Sequence, residues 1–219
     1  MPNWCFNTLK IKGNKNLRSE FKHMMDSFIK GKFEKVAKDA ESVGHVAPIP
    51  TFDFEFVLPL PEELRGTTSP RPANKDQVLK WAKENNWADD VLQARLASCP
   101  TDEENAQLDA LRDKYGFDNW YDWCNSIWGT KWNACNSEGS EVKETAQMLV
   151  YYFETAWCPP VGVIHALASK FPDLKFRLEY SVEGESGIEV IEGSAAVWEK
   201  YSSQSKADFA RAIEAYRKI

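Results

Sequence analysis

Cys158 stands directly before Pro159 and Pro160, where the start of a helix would lower a thiol pKa and make a nucleophile. Its nearest base in the chain, His165, is seven residues on. That is two helical turns, about 10 Å of rise, so the imidazole falls short of the thiol. The two prolines also remove amide donors that an oxyanion would need. A half-buried cysteine is the better expectation. His23 and His45 have no second histidine or cysteine at metal-ligand spacing, and no H-x-T pair of the phosphoesterase kind occurs. Neither of the glycine-rich phosphate loops is present. Acidic pairs, Asp122 with Glu154 or Glu183 with Glu185, could form a two-carboxylate site. Against that, Glu183 and Glu185 suit a solvated turn, and Asp122 suits a hydrogen-bond partner of an indole or a backbone amide. The sequence thus leans away from an enzyme, and no catalytic residue, cofactor or metal site is expected.

Binding chemistry is concentrated instead between Asn119 and Asn133, which hold four of the nine tryptophans. Trp120, Trp123 and Ser126/Ile127 fall at helical spacing and can turn one aromatic face to a core. Gly129 breaks that period, and Thr130 to Asn133 reads as a short strand or extended segment. Lys131, between Trp128 and Trp132, could complete an aromatic platform with a cation. The alternative, favoured by the rarity of clustered indoles on soluble surfaces, is that the tryptophans close a core and Lys131 points outward. The candidate binding residues are Trp120, Asp122, Trp123, Trp128, Lys131, Trp132 and Trp157.

The elements that must position them belong to an ordinary globular chain. Of 219 residues, 43% are hydrophobic, 27% charged and 13% aromatic. That length suits one substantial core. A net charge of −6 repels phosphate backbones on average, making nucleic acid the less favoured partner. Five cysteines, an odd number without a C-x-x-C pair, suit a reducing cytosol. The opening residues lack the pattern of a secretory signal, and no apolar run reaches membrane-spanning length. A cytoplasmic protein with no membrane partner is expected.

Read in order, Trp4 to Lys12 alternates as a strand ending at Gly13. An amphipathic helix follows from Asn16 and stops before Gly31. Residues 31–50 allow a weak helical turn. Phe52, Phe54 and Phe56 alternate with polar residues as a second strand. Three helical pieces between about 74 and 114 read as an insertion, two opened by the capping pairs Asn74/Gln77 and Thr101/Glu104. Glu138 to Val142 is turn-like. Met148 to Phe153 is a strand buried on both faces, and Pro159–Pro160 open a helix ending near Pro172. Strands at Leu174–Val182 and Ile188–Ile191 follow, then a helix from Ser205. The expected class is α+β, a ferredoxin-like β-α-β plan in a single domain over 1–219. It carries the insertion at about 74–114 and a C-terminal helical extension at about 194–219.

Several strings carry a family resemblance: Met1-Pro2-Asn3-Trp4-Cys5-Phe6-Asn7 with Gly13, Leu58-Pro59-Leu60-Pro61-Glu62-Glu63-Leu64, Trp120-Tyr121-Asp122-Trp123, Trp128-Gly129-Thr130-Lys131-Trp132, and Phe153-Glu154-Thr155-Ala156-Trp157-Cys158-Pro159-Pro160. Up to about Gly193 the chain resembles the YubB ferredoxin-like family of bacteriophages and conjugative plasmids. The resemblance implies that fold and a mobile-element origin, and supplies no catalytic residues. With the aromatic excess, it points to a binding protein acting on a host or defence protein in the bacterial cytosol. The second reading is a nucleotide or single-stranded nucleic-acid module on the sheet, using a basic groove of Lys10, Lys12 and Lys131. A third is an enzyme using Asp122, Glu154 or Cys158. The sequence sets no oligomeric state.

Overall fold

The structure, a computed structural model, describes residues 3–40, 50–135, 141–182 and 189–193. In chain order the elements are β1 (Trp4–Lys12), α1 (Lys15–Ala40), a 3-10 turn (Phe54–Phe56), α2 (Glu62–Arg65), α3 (Lys75–Asn85), α4 (Asp89–Ala97), α5 (Asp102–Tyr115), α6 (Trp120–Ile127), β2 (Glu141–Glu144), β3 (Leu149–Ala156), α7 (Val161–Lys170), β4 (Lys175–Val182) and β5 (Glu189–Gly193). They divide into two compact units. Among the described residues, one joins those up to Pro59 with those from Cys124 to Gly193, and the other contains Leu60–Trp123.

The first unit is built on a five-stranded sheet in the order β2-β3-β1-β4-β5, every neighbouring pair antiparallel. β3 and β4 therefore run parallel on either side of β1, with α7 connecting them. β1 and β2 flank β3 in the same way. This is the ferredoxin-like plan with β5 added as an outer strand. The alternation of β1 decides which face is covered: Cys5, Leu9 and Ile11 are buried, as is Asn7, while Phe6 is exposed. Phe21 of α1 packs edge-on against Tyr151, Phe171 and Phe176, with ring centroids 6.2, 5.1 and 6.1 Å apart. Burying one such side chain is worth about 2–3 kcal/mol.

Arg18 ties the strands to α1. Its buried guanidinium donates to the carbonyls of Gly13 (2.8 Å) and Gln147 (2.9 Å) through Nη1, and to Ala146 (2.8 Å) and Thr145 (3.4 Å) through Nη2. One planar fork thus holds the β1–α1 turn against the β2–β3 turn.

Four local expectations are corrected. α1 continues through Gly31 to Ala40, since that glycine stands in open space where its lack of a side chain costs only propensity. Phe52–Phe56 is not a strand. Asp53 accepts from the Glu55 amide and caps a 3-10 turn, while its other oxygen takes Lys32 Nζ at 2.7 Å. Phe52 and Phe54 are still buried, one stacked on Phe153 (5.0 Å) and the other edge-on to Trp128 (5.6 Å). The side-chain cap outweighed a period that either conformation satisfies. The second strand of the plan is instead the polar β2, overlapping the segment read as a turn, and a polar edge strand carries no hydrophobic period. Thr130–Asn133 forms bends rather than a strand, with one isolated bridge beyond it, Cys135 to Glu154.

In the second unit both capping boxes form, Asn74 with Gln77 and Thr101 with Glu104. Asp118 is buried, paired with Arg112 and with Arg71 (3.3 Å), and accepts from Asn119 Nδ2 at 2.9 Å. A hydrogen bond from Lys114 and one from the Tyr115 hydroxyl help lower the Glu63 carboxyl to about 2. No helix among the described residues is long and apolar enough to cross a membrane. His45, Glu183, Glu185 and the expected helix over 194–219 lie outside the described residues.

Candidate functional site

At the end of the sheet where β1 begins and β3 finishes, four aromatic residues are brought to one region of the first unit. Trp4 and Phe6 project from the face opposite the buried Cys5 and Asn7. Trp4 pairs with Ala156 and Phe6 with Glu154, so both lie beside the last residues of β3. Trp157 follows directly, its amide donating to the Asn3 carbonyl at 2.9 Å. The Trp132 segment runs alongside, anchored before it by Thr130 Oγ1 donating to Ala156 O (2.8 Å) and after it by the Cys135–Glu154 bridge. Phe6 is 47% exposed, Trp132 37% and Trp157 50%.

The turn that presents Trp157 is held from beneath. Asn7 Nδ2 donates to Thr155 Oγ1 at 2.8 Å, and Thr155 Oγ1 donates to Cys158 O at 2.7 Å, with both side chains buried. Gly129, at φ +87°, lies against this turn so closely that a Cβ there would sit 3.1 Å from Pro159 O. Trp157 itself has φ +70°, the left-handed region that side-chain-bearing residues avoid. The Trp132 loop is fixed with equal economy by Asn133. Its Oδ1 accepts from the amides of Phe54 and Ala134 at 2.8 Å each, and its Nδ2 donates to Asp53 Oδ1 at 2.7 Å.

Lys131 Nζ lies 4.6 Å from the centre of the Trp132 ring. Trp128 is 3% exposed, with Nε1 donating to Leu58 O at 2.9 Å. Trp123 is buried as well. Trp120 is half-buried, edge-on to Tyr121 at 5.7 Å, and its amide donates to Thr67 Oγ1. The Asp122 amide donates to Asn119 Oδ1 (2.9 Å), a side-chain cap at the start of α6, and its carboxylate accepts from Asn119 Nδ2 (2.8 Å). Trp120, Asp122 and Trp123 belong to the second unit; Trp128, Lys131, Trp132 and Trp157 belong to the first.

Glu179 accepts from Lys10 Nζ (2.7 Å) and Arg177 Nε (2.9 Å), which together hold its carboxyl below the ordinary range. Lys10 and Lys131 are therefore engaged within the protein, leaving Lys12 the exposed member of the expected basic groove. Cys158 is exposed rather than half-buried as expected. Partial desolvation of its sulfur still raises the thiol pKa, so at neutral pH it stays protonated and is a poor nucleophile. His23 is exposed on α1 and His165 lies within α7. Sequence reasoning left Phe6 and Trp4 out of the candidate set, although the alternation of β1 placed them together on one face.

The protein is a ferredoxin-like α+β protein with an aromatic-edged sheet. Residues 128–217 match the model of a family described as the ferredoxin-like domain in Api92-like protein. The match bears out the ferredoxin-like part of the family resemblance and does not itself carry the YubB name. Among solved structures, the Api92 protein of Yersinia pseudotuberculosis is similar at 13% identity, over 88% of this chain and 95% of that one, with a TM-score of 0.35. No curated protein matches the chain.

Proposed function

We propose that the protein acts by binding, and that a partner protein docks on the aromatic end of its sheet through Phe6, Trp132 and Trp157. The observation that carries this is Trp157, a half-exposed indole held in a left-handed backbone conformation. That conformation costs about 1–2 kcal/mol for a non-glycine residue. A tryptophan kept there in water, over a turn fastened by buried Asn7 and Thr155, is built for presentation rather than for packing. Indoles and other aromatic rings are the usual anchors of protein interfaces. The resemblance to phage- and plasmid-borne proteins supports a host or defence protein in the bacterial cytosol as the partner class.

The test uses the immobilised full chain in bacterial lysate beside two variants, Phe6→Ala/Trp157→Ala and the control Leu79→Ala. A protein retained by the parent and the control, and lost by the double variant with a fall in affinity of at least roughly thirtyfold, is expected. Identical captured proteins for all three chains would overturn the reading.

A second reading is favoured by one observation. Tyr152 pairs with Thr8, so it shares the open face diagonally with Phe6 on the neighbouring strand. RNA-recognition sheets stack bases on aromatics so placed. The pairing of Lys10 and Arg177 with Glu179 makes this the weaker of the two.

A further inference from the structure

The second unit contains a cleft that has no part in the aromatic end of the sheet. α3 stops at Asn86, which adopts φ +50° and reverses the chain into α4. The Trp87 amide donates to Ala82 O at 3.1 Å and fixes that indole just past the helix end. Between the two helices lies a cavity of about 370 Å³ whose lining includes Pro72, Val78, Trp81, Trp87, Arg95 and Cys99. Its size is within the range of small-molecule sites.

The polar character of the lining is one-sided. Trp81 is 44% exposed, and among the described residues neither indole N–H nor the Arg95 guanidinium has an acceptor. Ser98 Oγ and Cys99 Sγ spend their hydrogens on the Arg95 carbonyl, at 2.8 and 3.4 Å. Among the described residues no carboxylate lines the cavity, although the chain as a whole carries a net charge of −6. Indole and guanidinium groups donate and do not accept, so a complementary occupant must bring acceptors and negative charge. Flat indole faces suit a flat ring, and a guanidinium fork suits a carboxylate or phosphate.

We infer that this cleft binds a planar aromatic anion, its ring against Trp81 and Trp87 and its acidic group on Arg95. Mononucleotides and aromatic carboxylates share that chemistry. The full chain is titrated with AMP in one arm and indole-3-carboxylate in the other, following the indole N–H resonances by NMR and the heat by calorimetry. Saturable shifts of the Trp81 and Trp87 signals are expected, and the arm that binds more tightly identifies the source. Arg95→Gln, at an exposed position, is expected to keep the amide spectrum and weaken binding by roughly tenfold or more. Adenosine and indole, which lack the anion, are expected to bind the parent chain as weakly as the anions bind that variant. Failure of both anions to saturate below about 10 mM would overturn the inference, as would unchanged affinity in Arg95→Gln or shifts confined to other indoles.

Discussion

Trp157 shows how much a single residue's environment matters here. Nothing in its neighbours Ala156 and Cys158 marks it as different from Trp128, yet one indole is half exposed and the other buried with its N–H on Leu58 O. Because Trp157 sits at φ +70°, glycine there removes a steric cost. Trp157→Gly is expected to leave the unfolding midpoint unchanged or raise stability by up to about 1 kcal/mol while abolishing partner capture. Chemical denaturation beside the lysate capture assay checks both halves. A loss of stability above about 1 kcal/mol would show that the indole packs rather than presents. Cys158, its neighbour, is exposed where a half-buried cysteine was expected, and its thiol pKa is raised by desolvation.

At the scale of elements, local signals were legible wherever a side chain and its target lie within one turn or one strand. The two capping boxes and the alternation of β1 are of that kind. The amphipathic half of the tryptophan block also became α6, with Trp123 and Ile127 buried. Elements defined by distant partners were not. β2 exists because β3 offers an edge, and the Asp53 turn exists with Lys32 and Asn133 around it. Arg18 is the sharpest case, since four carbonyls from two separate turns converge on one fork. Lysine keeps the charge and loses the geometry. Arg18→Lys is expected to destabilise the first unit by about 2 kcal/mol and to speed amide exchange in β1 and β2. Thermal unfolding and hydrogen exchange measure the two effects. Wild-type stability in that variant would mean that charge alone suffices.

For the whole molecule, the field matters more than any one contact. The net charge is −6, and two cations of the sheet face, Lys10 and Arg177, share the carboxylate of Glu179. A single-stranded oligonucleotide is therefore expected to show no binding in the low micromolar range at roughly 50 mM salt, as read by fluorescence anisotropy. Binding that weakened steeply with added salt would reverse the choice of partner class. The same composition that disfavours phosphate backbones leaves aromatic surface as the main adhesive resource of the first unit.

By itself the sequence determined the α+β class, the ferredoxin-like plan and the helical stretch before the tryptophan block. Those properties are carried by periodicity, capping residues and charge totals, all of which act over short chain distances or as sums. Only the tertiary structure decided which tryptophans face water and which strand completes the plan. It also decided which lysines remain exposed and that Trp81, Trp87 and Arg95 share one cleft. Each of those depends on groups far apart in the chain meeting in space, and burial, unlike periodicity, is a property of the neighbours rather than of the residue.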